Sequence, residues 1–230
     1  MTKLKEQDDL VTPGEVIAED EDMYANNGVF QENNKIKSKY LGTVRYQGEG
    51  VKVTPMGGRY IPQEGDLVIG EVDEVRYNRW TISFDSPYEG ALNIGDAVDE
   101  YIDLEEDDLT DYFDTGDTVV AQIQSVSNSM DVDLTMEDKR CKKLKGGRIV
   151  SIAPSKVPRV IGKKGTMVQQ INNKTSCNII VGQNGKVWIN GEKPNLAAKA
   201  VKKVEREAHT SGLTDKIGEW LDEQLEEGDK

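Results

Sequence analysis

From residue 147 to 208 the apolar pattern changes period in a fixed order, and that order constrains the fold more than any other feature of the chain. Arg148–Ile152 reads as a strand and Ser155–Ile161 as a short helix carrying Pro158. Gly162-Lys163-Lys164-Gly165 follows, and then a helix over Thr166–Lys174 with Met167, Val168 and Ile171 on one face. Cys177–Val181 is a β-branched strand, Gly182-Gln183-Asn184-Gly185 a turn, and Lys186–Asn190 its hairpin partner. Pro194 opens a further helix at a favoured first-turn position. Leu196, Ala197, Ala200, Val201, Val204 and Ala208 mark its buried stripe. The order is β-α-α-β-β-α. A last helix, at about 213–227, gathers Leu213, Ile217, Trp220, Leu221 and Leu225 on one side, and this face must dock on its own chain or on a partner.

Charge separates the same region from the rest. The whole chain of 230 residues carries a formal charge of −13. Residues 142–208 hold 15 Lys or Arg against Glu192, Glu205 and Glu207, whereas residues 1–141 hold 12 basic and 32 acidic residues. A local basic patch, not total charge, sets attraction to phosphates. Acidic surface elsewhere suppresses indiscriminate nucleic-acid binding.

Before residue 147 the period is two. Residues 1 to about 60 alternate turn signals (Pro13-Gly14, Asn26-Asn27-Gly28, Met56-Gly57-Gly58) with short apolar runs, which predicts a small all-β domain. The acidic run Glu19–Asp22 reads as a solvated turn. From Gly65, GDLVIGEVDEV is followed by the turn Arg76-Tyr77-Asn78-Arg79 and by the clean alternation of Trp80, Ile82 and Phe84. A second start at Gly116-Asp117 leads into TVVAQIQSV, and Val132, Leu134 and Met136 alternate in the last strand. About 70 residues of short strands and hairpins suit a closed five-stranded OB-type barrel. The acidic insert Tyr101–Asp111 is expected to bridge two of its strands as a short helical turn.

Little of this supports catalysis. One histidine, His209, excludes most imidazole chemistry, and it reads as a surface residue. Cys141 and Cys177 fit no metal spacing and read as free thiols of a reducing compartment. Asp103–Asp108 could be taken for a metal cluster, but consecutive carboxylates do not all converge on one ion, so the run reads as a solvated face. Nothing forms a nucleophile–base pair or a Walker loop. No cofactor and no metal is expected. No apolar run reaches the length of a membrane span, and the first residues lack a signal-peptide core, which predicts a cytoplasmic protein.

The candidate sites are therefore binding sites. A Gly-x-x-Gly turn between two helices admits a sugar-phosphate backbone closely, and the following helix presents free N–H groups to an anion. Gly162, Lys163, Lys164 and Gly165 are therefore candidates for contact with a sugar-phosphate strand. The same four residues also suit a plain helix–helix turn with surface lysines. In the barrel, residues 64–136 carry 20 acids and only Arg76 and Arg79 as bases, both beside Tyr77 and Trp80, so RNA contact concentrates on that one loop. Trp80 and Phe84 read as core. Gly182, Asn184 and Gly185 read as a structural turn needing positive φ at Asn and Gly.

Residues 147–208, with their GKKG loop, resemble a type I KH domain, whose GxxG loop clamps single-stranded RNA; the resemblance implies that Gly162, Lys163, Lys164 and Gly165 touch RNA, with Arg148, Lys156 and Arg159 near the same groove. GDLVIGEVDEV, RYNRWTISF and GDTVVAQI resemble the S-one RNA-binding barrel. With VTPGEVIAED, GGRYIPQEGDLVIGEV and the GQNG turn, which matches a GxNG element, the whole chain resembles the S-one/KH cap subunits of the archaeal RNA exosome. That resemblance implies a multidomain chain, mainly β and then α/β: an N-terminal β domain over 1–62, an S-one barrel over 63–138, a KH domain over 145–210 and a C-terminal helix with an acidic tail over 211–230. It implies a non-catalytic subunit, three copies sitting on a hexameric ring of ribonuclease-PH-type subunits, alone or mixed with the other cap protein. Such a cap recruits single-stranded RNA and feeds it to 3′-to-5′ phosphorolysis. The N-terminal domain would anchor it. A nuclease in its own right and a free-standing RNA-binding protein are the rival readings.

Overall fold

The computed structural model describes residues 2–19, 23–98, 107–127 and 129–228. It divides into two compact units, Met1–Gly58 and Arg59–Lys230. The division falls before the expected boundary at 62 because Tyr60 belongs to the second unit, where it is buried and its hydroxyl donates to Asp66 Oδ2 at 2.5 Å.

The first unit is built from β1 (Thr2–Lys3), β2 (Leu10–Val11), β3 (Val16–Glu19), β4 (Tyr24–Ala25), β5 (Val29–Glu32), β6 (Lys35–Ser38), β7 (Gly42–Gln47) and β8 (Gly50–Pro55). They form two four-stranded sheets, ordered β1-β3-β6-β5 and β2-β7-β8-β4. Val11, Ile17, Val29, Ile36, Val44, Val51 and Val53 fill the core. Of the acidic run expected as a turn, Glu19 ends β3 and pairs with Lys35 at 2.9 Å, and residues 20–22 lie outside the described residues.

In the second unit β9 (Leu67–Arg76), β10 (Arg79–Ser83), β11 (Glu89–Asn93), β12 (Thr118–Val126) and β13 (Val132–Thr135) close a barrel. Closure comes from β13, which runs parallel to β11 and antiparallel to β12, while β12 returns to β9. Trp80, Ile82, Phe84, Leu92, Ile123 and Leu134 are fully buried inside it. The Trp80 indole N–H donates to the Phe113 carbonyl at 2.9 Å, and the two rings meet edge to face at 5.2 Å. α1 (Ile94–Ala97) precedes the insert and α2 (Leu109–Tyr112), the helical turn expected there, falls at its end, capped by Asp108 through Thr110 N–H at 2.9 Å. Residues 99–106 of the insert, with most of the Asp103–Asp108 run, lie outside the described residues.

An edge strand, β14 (Lys142–Leu144), pairs with β12 and leads into the last module. There β15 (Arg148–Ser151), β17 (Lys186–Gly191) and β16 (Cys177–Val181) form a sheet in the order β15-β17-β16. α3 (Val157–Ile161), α4 (Thr166–Thr175), α5 (Pro194–Arg206) and α6 (Leu213–Gly228) share one apolar core with it, through Val157, Val160, Met167, Ile171, Val201, Ile217 and Leu221. Pro158 is tolerated because it falls in the first turn of α3. The last helix, α6, therefore docks on its own chain. Lys174 on α4 donates to the Gly218 carbonyl at 3.0 Å and to Asp222 at 2.5 Å, holding α6 in place.

Candidate nucleic-acid interface

Two features built from the sequence upward make the interface. The first is the loop between α3 and α4. Gly162 adopts φ 76°, ψ 174°, and a Cβ there would lie 2.8 Å from Met167 N, so only glycine lets the chain turn so close to α4. Gly165 adopts φ 80°, and the space where its Cβ would stand is empty. The loop thus turns a bare backbone surface outward. Lys163 and Lys164 are exposed and make no hydrogen bond or ion pair among the described residues. Lys164 itself sits at φ 54°. α4 begins with no side-chain cap and no acid in its first turn, leaving its N–H groups and dipole open to an anion.

The second is the hairpin between β9 and β10. Arg76 and Arg79 face each other across a two-residue turn, Tyr77-Asn78, and Tyr77 is 77% exposed. Trp80 anchors the hairpin in the barrel core directly after Arg79, as its pattern predicted. The guanidinium of Arg76 is already engaged: it holds Glu74 at 2.7 Å. Arg79 makes no such pair among the described residues.

The other predicted contacts are dispersed. Arg159 donates to the carbonyls of Ala208 and Thr210, both at 2.7 Å, in the turn that follows α5. Arg148, expected near the loop, begins the edge strand β15, with β17 between it and β16, and donates to Asn195 Oδ1 at 2.7 Å. Lys156 stays with α3, partly exposed in the turn that precedes it.

The GQNG turn needs correction in its detail. Gly185 is left-handed at φ 83°, but Asn184 is not, contrary to expectation. Its amide does something else: it is buried between the two modules and bridges them. Nδ2 donates to the carbonyls of Ile69 and Phe84, both at 2.8 Å, and Oδ1 accepts from Ile69 N–H at 3.3 Å. Next to it Gln183 N–H donates to the Leu67 carbonyl at 2.7 Å. Trp188, Leu67, Ile69, Val120 and Leu144 close an apolar seal around the bridge. Sequence reading missed this because asparagine in a turn ordinarily serves its own backbone. The hairpin and the GKKG loop therefore sit on one frame whose parts are hydrogen-bonded together.

Among the described residues no group of three His, Cys, Asp or Glu could hold a metal. Burial pushes the Cys141 thiol up to about 11, helped by Asp138, so it stays protonated and unreactive. Among the described residues no helix is long and apolar enough to cross a membrane.

Family models match the chain twice: an RRP4-type S1 domain over residues 59–125 and a KH domain over residues 147–195. A closed S1 barrel bridged to a KH domain defines an RNA-binding protein of two modules. The exosome complex component Rrp4 of Thermococcus kodakarensis is 42% identical over 224 residues, 95% of this chain and 87% of that protein. Its counterpart in Methanothermus fervidus is 40% identical over 228 residues, 98% of this chain and all of that protein. The chain belongs to the Rrp4 family of exosome complex components. A crystal structure of a provisionally described exosome complex RNA-binding protein is 32% identical, covers 74% of this chain and 98% of its own, and superimposes with a TM-score of 0.66.

Proposed function

We propose that this chain is the non-catalytic RNA-binding cap of a cytoplasmic exosome, which captures single-stranded RNA and feeds it into a phosphorolytic ring. The observation that carries this reading is the GKKG loop: two exposed, unpartnered lysines on a bare backbone turn, in a chain of charge −13. The relatives named Rrp4 supply the exosome. Ribonuclease-PH-type ring subunits, and three copies of the cap, alone or with the other cap protein, follow from the family resemblance. The loop would clamp the strand outside the ring. Arg79, with Tyr77 as a stacking surface, would guide it at the pore, while Arg76 must first release Glu74. Weak contacts at both places on one strand reinforce each other through effective concentration. The N-terminal domain would anchor the cap to the ring. In support, Leu10 on β2, Leu41 just before β7 and Met56 just after β8 are each 50% or more open to solvent, and Met56 N–H donates to the Leu41 carbonyl.

The test is a titration of labelled single-stranded RNA with the full chain across salt concentrations. Single-strand binding changes by about 0.7 in log–log slope per phosphate contact. Lys163→Glu/Lys164→Glu should flatten the slope by about 1.4 and weaken binding. Unchanged affinity in that variant would remove the loop from the interface.

A further inference from the structure

We infer that the KH module carries a second phosphate track, on the seam between α5 and the edge strand β15, and that it holds the same single-stranded RNA beyond the reach of the GKKG loop. The inference rests on the RNA-binding reading above but uses different residues.

The seam is stitched along its length. Arg148, at the start of β15, donates to Asn195 Oδ1 at the start of α5. Lys202 donates to the Ser151 carbonyl at 2.5 Å, where β15 ends, and Glu205 accepts from Ala153 N–H at 2.7 Å just beyond. Asn195, Lys199, Lys202 and Arg206 recur at the spacing of one helix face, so this face of α5 lies beside the strand for about 16 Å at 1.5 Å per residue. All four are exposed.

The charge pattern is what calls for a ligand. Lys199 is followed at i+3 and i+4 by Lys202 and Lys203, and Lys202 is followed at i+4 by Arg206. Like charges at those spacings destabilise a helix. Lys203 has an internal remedy, pairing with Glu207 at 2.7 Å, and Lys202 pairs with Glu205 at 2.9 Å. Lys199 and Arg206 make no ion pair or hydrogen bond among the described residues. Neither does Lys145, exposed just before β15. In a chain whose other segments are acidic, cations are concentrated on one line, and three of them, Lys145, Lys199 and Arg206, have no ion pair among the described residues. An anionic polymer running along the line relieves that repulsion, and a row of spaced cations suits a phosphate backbone rather than a single anion.

The seam also has direction. Its Arg206 end lies next to α3, because Arg159 of α3 donates to the carbonyls of Ala208 and Thr210 in the turn just after α5. α3 leads straight into the GKKG loop. Its Arg148 end lies at the two glycines that join the KH module to the barrel. A strand clamped at the loop can thus continue along α5.

The experiment compares wild-type chain with Lys199→Gln/Arg206→Gln, which keeps good helix formers at both exposed positions. Two labelled RNAs are titrated across salt: one of roughly four nucleotides, the length a GxxG loop clamps, and one of roughly 16. The variant should flatten the salt slope by about 1.4 on the long RNA and leave the short RNA unaffected. An unchanged slope on the long RNA overturns the seam, and so does an equal loss on both RNAs, which would mean general attraction. A variant that binds both RNAs normally but loses an acidic protein partner overturns it too. Failure of the wild-type chain to bind either RNA would instead strike the RNA-binding reading itself.

Discussion

Trp80→Ala is expected to destabilise the barrel by about 4 kcal/mol, within the range for removing a large buried aromatic. Trp80 is fully buried among Ile82, Phe84, Leu92 and Leu134. Its loss leaves a cavity that rigid strands on all sides cannot close, and it strips the Phe113 carbonyl of its indole donor. The edge-to-face contact with Phe113 goes as well. Urea unfolding followed by circular dichroism gives the number. Trp80→Phe, which keeps most of the apolar volume, should recover most of the loss, leaving about 1 kcal/mol for the missing hydrogen bond. Because Trp80 sits one residue after Arg79, the alanine variant should also loosen the hairpin that presents Arg76, Tyr77 and Arg79. A cost under about 1 kcal/mol would mean that the indole is not the core residue described here.

Asn184→Ala should cost about 3 kcal/mol and should uncouple the two RNA-binding modules. The substitution leaves the carbonyls of Ile69 and Phe84 without their amide donor in a site from which water is excluded. Asn184→Asp should be at least as damaging, since it sets a second acceptor against those two carbonyls. The distinctive sign is where the variant opens. Proteolysis between β14 and β15, around Gly146 and Gly147, should accelerate in Asn184→Ala and not in a surface variant of similar stability. Loss of stability without faster cleavage at that junction would make Asn184 an ordinary turn residue.

The sequence made some of this architecture legible and hid the rest for identifiable reasons. Periodicity located nearly every element of the KH module because its apolar positions repeat cleanly, as with Met167 and Ile171 on α4 or Ala197, Val201 and Val204 on α5. The alternation Trp80-Ile82-Phe84 identified core residues for the same reason. The GKKG loop was legible because its glycines meet a geometric demand, a positive φ beside Met167. Contacts between residues far apart in the chain were not legible. The bridge from Asn184 to Ile69 and Phe84 spans 100 residues or more, and no local pattern announces it. Charge was legible in amount but not in engagement. Arg76, Arg148 and Arg159 each look free in the sequence and each is engaged by Glu74, Asn195 or the turn after α5. Lys199 and Arg206 passed unnoticed because only the fold lines them up beside β15.

The most direct test of the cap reading is phosphate-dependent shortening of 3′-extended, labelled single-stranded RNA by the purified ring, with and without this chain. The expected result is association with the ring and faster shortening, weakened by Lys163→Glu/Lys164→Glu. Absence of both association and stimulation would contradict the cap function, as would RNA cleavage by the isolated chain.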